Sequence, residues 1–147
     1  MNSDLIALLH EFNAHNVDYL IVGAHALAAY GHVRATKDLD IWIRPEPENA
    51  RNALAALKSF GAPLHDLTAR DLTTPGTVFQ IGIPPFRVDV LTAIDGVDFA
   101  EAWPDRFETT FGGEASFVIS RHHLIKNKKA AGRLQDLADI EKLEPKD

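Results

Sequence analysis

Tyr19-Leu20-Ile21-Val22-Gly23-Ala24, followed after a short alanine-rich stretch by Arg34-Ala35-Thr36-Lys37-Asp38-Leu39-Asp40-Ile41-Trp42-Ile43, decides the fold. The first run is apolar and rich in strand formers, and Gly23 ends it where a backbone without a Cβ can turn tightly. Residues 24–30 favour a short helix, closed by Gly31. Residues 39–43 form a second strand that stops before Pro45. Along that strand side chains alternate, so Asp38 and Asp40 share one face while Leu39 and Ile41 anchor the other. Two carboxylates held together repel each other, and a divalent cation relieves them; magnesium is the natural candidate.

Upstream, Leu5, Leu8, Leu9 and Phe12 recur at helical spacing behind Ser3 as a cap, which predicts an amphipathic helix ending near Asn16. Downstream, a helix starts at Pro47, buries Ala50, Leu54 and Leu57 and stops by Gly61. Residues 78–81 and 87–91 are strands separated by Gly82 and the Pro84-Pro85 pair, a hairpin with a stiff, wide turn. A helical turn over 99–103 precedes a second hairpin, 107–111 with 115–119, around Gly112-Gly113. Ser120 caps a last helix through Leu124, Ile125 and Lys128, broken near Gly132 and resumed through Leu137 and Ile140. No internal repeat, low-complexity tract or linker interrupts this order. It predicts one domain over 1–147 of the α/β (α+β) class, a mixed sheet with flanking helices.

The same alternation in Arg87-Val88-Asp89-Val90-Leu91 buries Val88 and Val90 and presents Asp89 beside Arg87. A third carboxylate from a neighbouring strand gives enough oxygen donors for two metal ions. Such a pair can activate an attacking hydroxyl, orient a triphosphate and stabilise departing pyrophosphate. A solvated strand end, with Asp89 paired to Arg87 on the surface, accounts for the same residues without chemistry. The turn at Gly23, leading into the helix at Ala24, places free backbone N–H groups where phosphate oxygens could sit.

On these residues the chain resembles the minimal nucleotidyltransferases of the DNA polymerase beta superfamily. The stretch from Val22 to Ile41 is similar to that family's glycine turn, intervening helix and aspartate pair, with Arg34-x-Thr36-x-Asp38-x-Asp40 its most specific portion. Arg87 to Thr92 resembles its third-carboxylate strand. Residues 124–136, Leu124-Ile125-Lys126-Asn127-Lys128-Lys129-Ala130-Ala131-Gly132-Arg133-Leu134-Gln135-Asp136, are similar to the closing helix of abortive-infection (AbiEii-like) nucleotidyltransferase toxins. The resemblance covers most of the chain from Tyr19 to Leu143. It implies that Asp38, Asp40 and Asp89 hold Mg2+, with Mn2+ able to replace it, that Asp89 helps deprotonate the acceptor hydroxyl, and that Gly23 and the amides after it contact phosphate. The expected partners are a nucleoside triphosphate, an acceptor on protein, RNA or a small molecule, and a cognate antitoxin or a second copy of the chain. Where many relatives carry Gly-Ser or Gly-Gly, this chain has Gly23-Ala24, so a serine hydroxyl contact is missing while the backbone amide remains. That departure motivates the alternative of a nucleotide-binding or interaction module without turnover.

Arg34, Lys128 and Arg133 are the cations expected to offset triphosphate charge, each equally readable as a surface residue. Thr36 orients the turn ahead of the acidic pair, and Asp136 orders its helix or pairs with a base. His25, His32, His122 and His123 show no i,i+4 zinc spacing and read as packing or surface residues, as do Trp42 and Trp103. The 147 residues include no cysteine, which excludes thiol catalysis, thiolate-bound zinc and disulfides. A formal charge of -6 disfavours broad attraction to nucleic-acid backbone. The amino terminus lacks a secretion signal and no apolar run spans a bilayer, so a cytoplasmic protein without membrane contact is expected. Antibiotic adenylylation is disfavoured on the ground that no further helical domain encloses a sugar.

Overall fold

The computed structural model describes residues 2–36 and 38–144. The order is α1 (Ser3–Ala14), β1 (Tyr19–Val22), α2 (Gly23–Ala29), β2 (Asp38–Ile43), α3 (Pro47–Phe60), β3 (Val78–Ile83), β4 (Phe86–Leu91), α4 (Phe99–Ala102), β5 (Phe107–Phe111), β6 (Glu114–Val118), α5 (Arg121–Ala131) and α6 (Leu134–Leu143). The strands form one mixed sheet in the order β3-β4-β2-β1-β6-β5. β1 runs antiparallel to β2 and parallel to β6, β2 runs parallel to β4, and the two hairpins supply the edges. The predicted fold class is therefore the observed one.

Register separates the two faces. Residues paired across neighbouring strands point the same way. Ile21, Ile41 and Val90 thus share a face with Phe79 and Ile81, all of them buried. α1 and α3 cover this side: Leu5, Leu8, Leu9 and Phe12 are fully buried, and Phe12 meets Tyr19 edge-on at 5.8 Å between ring centroids. The opposite face carries Val22, Asp40 and Asp89 in one row and Leu20, Trp42 and Leu91 in the next. Trp42 packs there against Phe99 of α4, 5.0 Å between centroids. The outer part of that face, over β3, is uncovered; Val78 is 53% exposed.

Several local details differ from the sequence-based expectation. Asn2, not Ser3, caps α1: its Oδ1 accepts from the Asp4 amide at 2.7 Å, and the helix ends at Ala14, with Asn16 in a left-handed conformation at φ 56°. The first hairpin turn is tight, not wide, because Ile83 pairs with Phe86 and only Pro84 and Pro85 lie between them. Along α3, Ala53 and Ala56 join Ala50 and Leu57 in the core, while Leu54 is only half-buried. β6 begins at Glu114. Ser120 caps α5 as expected, accepting from the His123 amide at 3.1 Å.

Asn49 is a structural residue that alternation and periodicity do not reveal. At 6% exposure, its Oδ1 accepts from Asp18 N at 2.7 Å, and its Nδ2 donates to the carbonyls of Asp18 at 3.0 Å and Arg44 at 2.9 Å. One amide thereby locks the entry of β1 to the exit of β2, and with them the row that contains Asp40. Asn49→Ala leaves these backbone groups without a partner and is expected to cost about 2–3 kcal/mol. Urea unfolding should show a lower midpoint at unchanged slope.

Candidate active site

Three strands meet where the acidic residues stand. β1 ends at Val22, whose register partner is Asp40 on β2; Asp40 is in turn paired with Asp89 on β4, and Asp38 with Arg87. Asp38, Asp40, Arg87 and Asp89 therefore form a two-by-two patch on one face, with about 4.8 Å between neighbouring strands. This is the convergence on which the sequence reading depended. Gly23 closes the patch from β1: at φ 70° it adopts a conformation that other residues resist, and a Cβ there would run into the Asp40 carboxylate. Ala24 follows within α2, and Thr36 brackets Asp38, its hydroxyl accepting from the Asp38 amide at 3.2 Å and donating to the Asp38 carbonyl at 3.3 Å. Lys37 lies outside the described residues.

The patch is electrostatically strained. Burial, then repulsion from Asp89 and from Asp38, push Asp40 up to about 6, with Arg87 and Arg133 opposing the shift. Asp89 is also raised, chiefly by burial. Arg87 answers part of this charge: its Nη2 donates to Asp38 Oδ2 at 3.2 Å, and its Nε lies 3.3 Å from Asp89 Oδ1. The second approach lacks hydrogen-bond alignment, so Asp89 Oδ1 is a buried oxygen without a donor. Among the described residues no three acidic or imidazole groups already close around one point, because Arg87 sits between Asp38 and Asp89. The donor chemistry nevertheless fits a hard divalent cation: every candidate ligand is a carboxylate oxygen, one of them is orphaned, and two carboxyls are raised, first by burial and then by their acidic neighbours.

Asp40 and Gly23 open onto a cleft of about 360 Å³ whose far wall comes from α5 and α6, including Lys128, Arg133 and Asp136. The helices hold this wall through buried ion pairs. Asp139, fully buried, accepts from Lys128 Nζ, Arg34 Nη1 and Gln135 Nε2, each at 2.9 Å. Lys128 is 4% exposed and also lies 3.5 Å from Asp136. Arg133 donates to Asp136 from its guanidinium, Nε at 2.7 Å, and from its backbone at 3.1 Å, so Asp136 orders the start of α6. Of the three expected phosphate cations, Lys128 and Arg133 line the cleft with Asp40, whereas Arg34 is directed at Asp139. Asp139 escaped the sequence reading; its signal was its place three residues after Asp136, on the same helix face.

The histidines and tryptophans fall outside this constellation, His25 apart. Burial lowers His25, its Nδ1 has no partner, and a hydrogen bond with the Asp38 backbone opposes the shift. His123 is buried against Ser120, and Trp42 is 1% exposed in the core. Trp103 has the guanidinium of Arg106 4.0 Å from its ring centroid and that of Arg44 5.6 Å from it.

With this geometry the chain matches solved nucleotidyltransferases. It superposes on TM1012 from Thermotoga maritima, a proposed nucleotidyltransferase, with TM-score 0.63 at 15% identity over 94% of this chain and 88% of that one. ANT(2")-Ia, solved with adenylyl-2"-tobramycin, gives 0.62 at 16% identity over 95% and 84%. The lincosamide antibiotic adenylyltransferase LnuA, solved with lincomycin bound, gives 0.61 at 13% identity over 97% and 96%. No protein-family model matches the sequence, and no curated protein matches it significantly. The fold is that of the nucleotidyltransferases.

The strain on Asp40 is measurable without any ligand. A carboxyl raised from 3.8 to about 6 holds its proton more tightly in the folded state, so the associated cost is absent below about pH 4 and fully present above about pH 6. Asp40→Asn in metal-free protein should therefore raise the melting temperature by a few degrees at pH 7.5 and leave it unchanged at pH 4. Equal effects at both values would refute this account of the acid patch.

Proposed function

We propose that the chain transfers a nucleoside monophosphate from a nucleoside triphosphate to a hydroxyl acceptor, with Asp38, Asp40 and Asp89 holding Mg2+. The observation that carries this reading is the in-register placement of Asp40 against Asp89, beside Asp38, at the edge of a cleft that also contains Gly23 and Lys128. Divalent cations bound there would supply charge neutralisation at the triphosphate and activation of the hydroxyl.

The chain's own groups have separable tasks. Gly23 lets the triphosphate approach the sheet end closely, since no side chain stands between its backbone and Asp40. Lys128 and Arg133 meet phosphate oxygens from the opposite wall, Lys128 with ammonium hydrogens that its hydrogen bond to Asp139 leaves free. Asp89, with its orphaned oxygen, takes the acceptor proton. The acceptor oxygen forms a bond to the α-phosphorus as the bond from that phosphorus to the pyrophosphate oxygen breaks, and pyrophosphate leaves with the charge.

The acceptor is a hydroxyl on a protein, an RNA or a small molecule. The adenylyltransferases of matching fold act on antibiotics, which puts a small polyhydroxylated molecule among the candidates. The abortive-infection likeness rests on the sequence of the closing helices and motivates a toxin-antitoxin setting, with a cytoplasmic chain and a cognate antitoxin as partner. No helix among the described residues is long and apolar enough to cross a membrane. A module that binds nucleotide without turnover is the competing reading, favoured by Ala24 at the position where a hydroxyl would reach phosphate.

Incubation with each of the four α-labelled triphosphates and Mg2+ or Mn2+, against protein, RNA and aminoglycoside or lincosamide acceptors, is the direct test. Label should move to one acceptor class with release of pyrophosphate. Asp38→Ala and Asp89→Asn should each lower the rate by about a hundredfold or more, since several kcal/mol of charge stabilisation go with either carboxylate. Tight triphosphate binding with no pyrophosphate release from any pairing would instead select the binding module.

A further inference from the structure

Arg87 lies where the proposed reaction needs a metal ion. It is the register partner of Asp38, two residues before Asp89 on the same face, and its guanidinium reaches both carboxylates, at 3.2 Å and 3.3 Å. Its side chain is 47% exposed and that of Asp38 46%, so the contact opens to solvent without unpacking the core. The Asp89 oxygen that Arg87 approaches remains without an aligned donor. A guanidinium in this position provides positive charge but not the geometry of a coordinating ion.

We propose that Arg87 is a resident counter-ion that competes with the divalent cation for Asp38 and Asp89. In the metal-free chain it screens the acid patch and keeps the fold stable; when the cation binds, the guanidinium is displaced outward over the open β3 side of the sheet. Gly82 is the register partner of Arg87 on β3 and is exposed, so the position directly opposite Arg87 carries no side chain. Among the described residues, the other cations near the cleft already have carboxylate partners, Lys128 and Arg34 at Asp139 and Arg133 at Asp136.

This inference rests on the metal-binding reading above, and one experiment separates the two. Mn2+ binding to the nucleotide-free full chain is followed by electron paramagnetic resonance, for wild type, Arg87→Met, Arg87→Lys and Asp40→Asn, with melting curves recorded in chelator and in Mn2+. Competition predicts about fivefold tighter Mn2+ binding by Arg87→Met, the scale set by half-exposed ion pairs. It also predicts a lower melting temperature in chelator that Mn2+ restores. Arg87→Lys, which keeps the charge but cannot fork between two carboxylates, should fall between wild type and Arg87→Met. A merely structural Arg87 would give lower stability with equal or weaker Mn2+ binding, the opposite direction, and would overturn the proposal. If wild type binds Mn2+ in a manner lost in Asp40→Asn while Arg87→Met is unchanged, competition fails and the metal-site reading stands. If no variant binds Mn2+, both fall together.

Discussion

Like charges placed side by side on neighbouring strands must be neutralised, protonated or tolerated at a cost, and the register of β2 against β4 sets Asp40 directly beside Asp89. That register follows from hydrophobic burial. Leu39 and Ile41 must face α1 and α3 together with Val88 and Val90, and a slip of one residue on either strand would expose an apolar row. The core thus holds the carboxylates together against their mutual repulsion. Burial first, and that repulsion second, raise the affinity of Asp40 for its proton.

A second constraint faces the first across the cleft. Asp139 is fully buried and draws Lys128, Arg34 and Gln135 to one point, which ties the segment leading into Asp38 to the closing helix pair. Burying this much charge gains little stability in itself, because desolvation offsets most of the attraction, and removal of one partner would leave the others exposed to a low dielectric. Its effect is geometric: the ammonium of Lys128 is held opposite Asp40 instead of wandering in solvent. Asp40 on the sheet and the cations Lys128 and Arg133 on the helix side then line the same cleft.

Much of this was legible in the sequence, for reasons that differ by element. β1 and β2 could be read closely because an unbroken apolar run stopping at Gly23 and an alternating run stopping before Pro45 have few other interpretations. The three aspartates could be named from alternation, since it assigns a face within each strand. Alternation cannot say which strands are neighbours, so the pairing of Asp38 with Arg87 was hidden although both residues were in view. Asp139 was missed for a related reason: its helical spacing from Asp136 gives it a face, but its cationic partners are 105 and 11 residues away and nothing in that spacing names them. Asn49 escaped as well, because a polar residue in the first turn of a helix looks like a solvated one until the carbonyls of Asp18 and Arg44 are seen beside it.

The asymmetry of the cleft bears on what can be modified there. The basic wall is built from buried or paired side chains and is fixed in shape, which suits a ligand common to every turnover, such as a triphosphate. On the other side, beyond Asp89, lies the edge of the sheet, where Gln80 and Val78 are exposed. An acceptor approaching from that edge meets the carboxylate that would take its proton without passing the nucleotide. An open edge discriminates poorly by shape, so in the proposed reaction the choice of acceptor must come from contacts outside the acid patch. In the proposed reaction the cleft therefore holds the nucleotide, and the surface of β3 selects the acceptor.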